Sequence, residues 1–124
     1  MRLYEFSVSV TTQYLGQQSD PAASRYVFSY TITIKNTGTV KAQLIGRHWI
    51  IKDANDKEEQ VRGLGVVGYQ PLLEPGQQFE YTSGSVLETP FGSMHGTYLC
   101  VAEDGEQFNT PIPEFVLSLP RTLH

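Results

Sequence analysis

The sequence predicts an all-β protein, and three observations support this prediction. Val, Ile, Thr, Tyr, Phe and Trp supply 41 of the 124 residues whereas Ala supplies only 5, a balance that favours pleated strands over helices. Several segments alternate apolar and polar residues with a period of two, which is typical of strands with one buried face. Turn residues separate these segments. The length suits one domain, so residues 1–124 are expected to form a single unit.

The first two predicted strands show the clearest alternation. Residues 3–12 place four apolar side chains on one face: Tyr4, Phe6, Val8 and Val10. Residues 25–35 place five inward: Tyr26, Phe28, Tyr30, Ile32 and Ile34. The polar segment 17–24 between them has no period, so we expect a surface loop there.

The third predicted strand, residues 42–52, is apolar on both faces. Ile45, Trp49 and Ile51 occupy one parity, whereas Leu44, His48 and Ile50 occupy the other. A short fourth strand is expected at 58–62 and a fifth at 79–82. The stretch between them is longer than most connections, which indicates a packing or functional role for the loop.

The last two strands are predicted from a turn between them. A strand at 94–103 is followed by Asp104-Gly105, a dipeptide that favours a type I′ hairpin turn. The final strand is interrupted by Pro111-Ile112-Pro113, where the apolar parity changes, so a bulge or an edge strand is expected. About seven short strands with turns between them indicate an antiparallel β-sandwich of the immunoglobulin or fibronectin type III kind, with Trp49 in its core.

Charge and cysteine content narrow the classes of partner and compartment. The net charge of −4, with only 9 Lys and Arg, argues against nucleic acid and against an anionic membrane. No apolar run approaches the roughly 20 residues of a membrane-spanning helix, and the first residues lack the apolar core of a signal peptide. The single Cys100 cannot form an internal disulfide. We therefore expect a cytoplasmic protein whose core packs without an inter-sheet disulfide.

Several segments together resemble the bacterial ApaG family, in order and over nearly the whole chain. They are Arg25-Tyr26-Val27-Phe28-Ser29-Tyr30, Asn36-Thr37-Gly38, Arg47-His48-Trp49, Gly63-Leu64-Gly65-Val66-Val67-Gly68, Tyr81-Thr82-Ser83-Gly84, Met94-His95-Gly96-Thr97-Tyr98, Val101-Ala102-Glu103-Asp104-Gly105 and Pro120-Arg121-Thr122-Leu123-His124. The resemblance implies a fibronectin type III-like sandwich that is one ApaG domain. It also implies a link to cobalt resistance and magnesium homeostasis, and related domains occur in eukaryotic F-box proteins and in a DNA polymerase delta-interacting protein. A binding module is therefore implied, with no catalytic residue and no cofactor.

The segment from Gly63 to Gly68 matches G-x-G-x-x-G, a pattern that binds pyrophosphate at a helix N-terminus in dinucleotide folds. Pro71 and Pro75 follow it and exclude the helix that this mechanism needs. One interpretation is a structural loop whose Val66, Val67, Leu72 and Leu73 cover one end of the sandwich. The alternative is an anion-binding nest of backbone N–H groups for pyrophosphate or a nucleotide, formed by Arg62, Gly63, Gly65 and Gly68.

His48 and His95 are the two internal histidines, on strands that are neighbours in this kind of sandwich. If Trp49 and Tyr98 point inward, both histidines point outward from one sheet, the arrangement that a two-histidine metal site needs. No third ligand is marked by spacing, so two surface histidines are the simpler interpretation.

The sequence carries no motif of a nucleophilic, metal-hydrolase or thiol-redox enzyme. Cys100 lies mid-strand on the inward parity, where it is expected to act as a small apolar side chain. Alternation instead leaves Leu44, Ile50, Leu99 and Val101 on the outer side of one sheet. Such an apolar patch is typical of an interface with a partner protein or a second copy, unless another segment of the chain covers it.

Overall fold

Eight strands form the protein in the computed structural model, which describes residues 2–120. They are Phe6–Tyr14 (β1), Tyr26–Asn36 (β2), Ala42–Asp53 (β3), Glu58–Leu64 (β4), Leu72–Leu73 (β5), Gln78–Leu87 (β6), Phe91–Ala102 (β7) and Gln107–Ser118 (β8). One sheet has the strand order β1-β2-β6, and the other has the order β4-β3-β7-β8 with β5 paired to β3. All strand pairs are antiparallel, so the predicted β-sandwich is confirmed, with the two-residue β5 added inside the long loop.

The segment between β1 and β2 lies on the surface, as predicted. It contains two single-turn 3₁₀ segments, Gly16–Gln18 and Pro21–Ala23, neither of which buries a residue. Across residues 2–120, no helical segment has the length and apolar character to cross a membrane.

The core lies between the sheets around Trp49, whose side chain is 3% exposed. Its indole meets the rings of Tyr30, Tyr98 and Phe115 edge-on, with centroid distances of 5.5, 6.3 and 5.9 Å. Aromatic pairs favour this geometry over face-to-face stacking. The inward parity predicted for Trp49 is therefore confirmed.

Leu44 was predicted on the outer face, and this prediction is wrong. Its side chain is fully buried in the core. The register of β3 against β7 shifts between Leu44 and Gly46, so that Ile45 and Gly46 together oppose Leu99. The extra residue of this β-bulge reverses the parity of the strand, which turns both Leu44 and Trp49 inward although they are five residues apart.

The irregularity predicted near Pro111 and Pro113 is confirmed. Strand β8 is an edge strand, and its register against β7 shifts between the pairs Gly96–Ile112 and Met94–Phe115. Since proline has no N–H to give to a sheet, an edge position with a bulge accommodates both prolines.

The hairpin at Asp104-Gly105 is present, but its turn is not the predicted type I′. Only Gly105 has a positive φ, of 89°, whereas type I′ requires a positive φ at both central residues. The Gly105 N–H bonds to Ala102 O and the Ala102 N–H to Glu106 O, so the loop has three residues. A glycine in the left-handed region at the end of such a loop is the common three-residue hairpin.

Candidate functional site

A groove of about 590 Å³ crosses the outer face of the five-stranded sheet, and we call it the outer groove. Its lining residues come from β3, β4, β7 and β8: Ile45, Gly46, Arg47, His48, Arg62, Gly63, Leu64, Thr97, Leu99 and Asn109. An apolar concavity with a few polar groups is the usual form of a binding site.

The floor of the outer groove exists because Gly46 has no side chain. Gly46 is in register with Leu64 on one side and with Leu99 on the other. Leu64 is 76% exposed and Leu99 is 39% exposed. Two exposed leucines therefore flank a trough in the sheet.

The next row of the sheet gives the groove its polar side. His48 is in register with Arg62 on β4 and with Thr97 on β7. The His48 Nε2 also bonds to Gln60 Oε1 at 3.0 Å. A cation and an imidazole thus lie beside the two leucines.

The four residues of the predicted anion nest do not all lie in one place in the structure. Arg62 and Gly63 lie in β4 and line the outer groove, whereas Gly65 follows the strand and Gly68 lies in the turn beyond it. The Gly65 N–H bonds to Ile45 O at 2.7 Å, and the Val66 N–H bonds to Tyr69 O at 2.8 Å. Two N–H groups of the loop are therefore already bonded within the protein.

The same loop turns carbonyl oxygens, not N–H groups, towards the nearest arginine side chain. Arg47 Nη1 donates to Leu64 O at 2.8 Å and to Gly65 O at 2.9 Å. These bonds fix the loop against β3. The structural interpretation of the loop holds in part, because Val66 and Leu73 are buried while Val67 and Leu72 are more than half exposed.

Both histidines point outward from the five-stranded sheet, on adjacent strands. His48 pairs with Thr97 and Ile50 pairs with His95, so the two imidazoles occupy diagonal positions. His95 Nδ1 lies 4.0 Å from Glu114 Oε2, separate from the His48–Gln60 contact. Within residues 2–120, no group of three or more His, Cys, Asp or Glu side chains is placed to hold a metal ion.

The predicted apolar patch is rearranged. Leu99 is exposed, Ile50 and Val101 are half-buried, and Leu44 has left the surface for the core. The row of His48 and Thr97 separates Leu99 from Ile50. Leu99 instead has Leu64 and Ile45 as its apolar neighbours around the outer groove.

Sequence analysis put Ile45 on the inward parity of Trp49, which is wrong because Ile45 lines the groove. It also missed five other groove residues: Gly46, Arg47, Leu64, Thr97 and Asn109. Ile45 lies at the groove because of the bulge in β3, which alternation alone does not show, and the residues of β4, β7 and β8 join it through the order of the strands. The signal that was available is Leu44-Ile45-Gly46, in which two adjacent apolar residues precede a glycine within a strand, a common sign of a bulge.

Cys100 is fully buried, and burial raises the pKa of its thiol to about 11. Its Sγ lies 3.6 Å from the Thr110 hydroxyl. At neutral pH the thiol is therefore protonated, whereas the thiolate is the nucleophilic form. The side chain acts here as a packing group.

Comparison with known proteins adds sequence and fold relatives. The sequence profile of the ApaG domain matches residues 16–102. Protein ApaG of Thiobacillus denitrificans is 61% identical over 121 residues, which cover 98% of this chain and 95% of the relative. Protein ApaG of Ralstonia nicotianae is 57% identical over 124 residues and covers all of both chains. The crystal structure of an ApaA protein from Bordetella pertussis matches with a TM-score of 0.95 at 57% identity, covering 98% of each chain.

Proposed function

The chain belongs to the ApaG family, and from this membership we propose that it is a non-catalytic binding module that acts by association with another protein in the cytoplasm. The outer groove is its binding surface. The partner presents an apolar side chain next to a carboxylate. One observation carries the proposal: an apolar pair, Leu64 and Leu99, lies beside Arg62 in a single groove.

The apolar half supplies binding energy. Burying exposed apolar surface yields about 25 cal/mol per Å², so an aliphatic or aromatic side chain placed over Gly46 would contribute substantially. Exposed apolar area of this kind is found at interaction sites on soluble proteins. Because Gly46 leaves the trough open, such a side chain can reach the floor between the two leucines.

The charged half supplies orientation. The ion pairs among residues 2–120 do not involve Arg62, so its guanidinium is free of a carboxylate partner there. The chain as a whole carries a net charge of −4. A cation that has no ion-pair partner among residues 2–120 of an acidic protein favours an acidic group on the docking segment, which adds specificity and speeds association.

An anion such as pyrophosphate or a nucleotide is a second candidate ligand for the same groove. Arg62, Gly63 and His48 all line it, which places the arginine of the predicted nest beside an imidazole. Pyrophosphate titration followed by amide NMR tests this directly. Shifts at Arg62 and Gly63 that disappear in Arg62→Gln would support it, and unchanged spectra would contradict it.

A direct role in cobalt or magnesium homeostasis would depend on His48 and His95. Their diagonal placement on one outer face brings long side chains within reach of each other. Imidazole ligands suit cobalt, whereas magnesium prefers oxygen ligands. Direct binding would be supported if cobalt perturbs the signals of both His48 and His95 in the wild type and no longer perturbs the signal of His95 in His48→Ala.

Protein association is tested with Leu99→Asp and Arg62→Glu. A partner captured by the wild type is first purified, and its dissociation constant is then measured for each variant by calorimetry. We expect Leu99→Asp to weaken binding at least tenfold, since a buried charge in the trough costs more than the lost apolar contact. Arg62→Glu should weaken binding and reduce its dependence on salt.

Val86→Asp is the matched control. Val86 is 47% exposed and lies on β6, in the other sheet, so this variant should bind as the wild type does. Thermal melts check that all three variants fold. Binding that survives both groove substitutions would contradict the proposal. A loss confined to self-association in sedimentation experiments would also contradict it, because the occupant would then be a second copy.

A further inference from the structure

A second concavity lies between the two sheets, beside β6 and the turn after β4, and shares only Arg47 with the lining of the outer groove. Its volume is about 160 Å³. Three aromatic residues line it together with four others: Tyr30, Trp49, Tyr81, Arg47, Val66, Val67 and Ser83. We call it the inter-sheet pocket. A cavity of about 150 Å³ holds one benzene molecule, so this pocket has the size of a single ring.

Arg47 gives the pocket a positive charge. Its Nη1 hydrogens are used by Leu64 O and Gly65 O, which leaves those on Nε and Nη2 for other acceptors. The ion pairs found among residues 2–120 do not include Arg47. Burial raises the pKa values of Tyr81 and Tyr98, so both phenols are neutral at physiological pH. The positive charge of Arg47 is then the net charge of the residues that line the pocket.

A hydrogen bond behind the wall provides a second donor. The hydroxyls of Tyr81 and Tyr98 are bonded to each other. Tyr98 is fully buried, whereas Tyr81 borders the pocket. A buried hydroxyl hydrogen needs an acceptor, so the Tyr98 hydroxyl donates to the Tyr81 oxygen. The hydrogen of Tyr81 is then not used in that bond, and Tyr81 is one of the residues that line the pocket.

We propose that the inter-sheet pocket binds a small monocarboxylate whose body is about the size of one ring. Arg47 and Tyr81 donate to the two carboxylate oxygens, and the rings of Tyr30 and Trp49 pack against the apolar body. A guanidinium recognises a carboxylate through charge-assisted hydrogen bonds. The volume of about 160 Å³ matches one ring and no further residue, so the ligand that we propose is a free acid rather than a chain terminus.

Trp49 makes this proposal testable, because it is the single tryptophan of the chain and lines the pocket. Benzoate is titrated while the indole N–H signal of Trp49 is followed by NMR. We expect a saturable shift at millimolar concentration. Benzamide has the same shape without the charge and should bind at least tenfold more weakly. An acetylated tripeptide that ends in phenylalanine should not shift the signal.

Three variants locate the binding. Arg47→Gln should weaken benzoate binding at least tenfold. Because Arg47 also fixes the loop, Ser83→Leu serves as a second variant that fills the pocket and leaves the guanidinium in place. Arg62→Gln, which alters only the outer groove, should bind benzoate normally, and this separates the pocket from the proposed protein interface.

Several results would overturn the carboxylate site. They are an unshifted Trp49 signal at about 10 mM benzoate, equal binding of benzamide, and full binding by Ser83→Leu. Tighter binding of the tripeptide than of benzoate would also overturn it, since the ligand would then be a chain terminus.

Discussion

The guanidinium of Arg47 lies directly against the Cα of Gly63, across the pairing of β3 with β4. A Cβ at position 63 would come within 2.8 Å of the Cζ, Nη1 and Nη2 atoms of Arg47. Real Cβ atoms do not approach other atoms so closely. The missing side chain of Gly63 therefore leaves room for the Arg47 guanidinium. The guanidinium in turn donates hydrogen bonds to the loop carbonyls of Leu64 and Gly65.

The first prediction follows from this contact. Gly63→Ala should displace the Arg47 guanidinium, the flexible end of its side chain, and cost about 1–3 kcal/mol of stability through the hydrogen bonds to Leu64 O and Gly65 O that it loses. Urea denaturation measures the change. Gly84→Ala is the control, because its nearest contact, Phe28 O, lies at an ordinary 3.4 Å. Equal stabilities of the two variants would contradict the packing described for Arg47.

The second prediction tests the bulge in β3. Leu44→Ala should cost about 2–5 kcal/mol, since the side chain is fully buried and its loss leaves a cavity. Leu99→Ala should cost about 0.5 kcal/mol or less, because Leu99 is 39% exposed. Chemical denaturation of both variants shows whether Leu44 faces the core or the outer side of the sheet. Similar losses for both would mean that the strand has no bulge at Ile45.

The comparison of Leu44 with Trp49 also shows what sequence patterns can predict. Composition, period-two alternation and the turn residues predicted the two-sheet architecture and the burial of Trp49. They assigned Leu44 to the wrong face because counting by twos assumes an uninterrupted strand. The bulge depends on the pairing with β7, some 55 residues further along the chain, which a single strand's pattern does not contain.

Single residues of the outer groove were predicted from the sequence, but their grouping was not, because it too depends on the pairing between strands. Arg62, His48 and Leu99 were each singled out, but for three different functions. They share one groove because the sheet order puts β3 between β4 and β7. Register pairs a given residue with its neighbours across strands, so the grouping depends on tertiary structure.

The third prediction concerns the turn from Val66 to Tyr69. Val67 has a φ of 48° and Gly68 a φ of 82°, as in a type I′ turn, although a β-branched residue is strained in that region. Val67→Asn should stabilise the protein by about 1 kcal/mol, since Asn-Gly is the preferred pair for this turn and such strain costs about 1–3 kcal/mol.

Thermal melts and urea denaturation measure that gain. Val86→Asn is the control: Val86 is similarly exposed but lies in strand β6, where asparagine is disfavoured, so this variant should lose stability. A loss of stability in Val67→Asn would mean that contacts of the valine outweigh the backbone strain.

The fourth prediction uses the thiol of Cys100. Burial raises its pKa from 9.0 to about 11, so the folded protein keeps the thiol protonated over a range in which the unfolded chain ionises. The unfolded chain then binds fewer protons, and its population is favoured as the pH rises. The contribution of Cys100 to stability is complete below pH 9 and falls between pH 9 and about 11.

Cys100→Ala isolates this contribution, because the cavity that it leaves costs the same at every pH. We expect the wild type to lose more stability than this variant when the free energy of unfolding is measured by urea denaturation from pH 8 to 11. Tyr81 and Tyr98 titrate in both proteins and cancel in the difference. Parallel curves would contradict the burial of the thiol, and so would rapid labelling of Cys100 by a thiol reagent in the folded protein at pH 8, where a buried, protonated thiol reacts only when the protein opens.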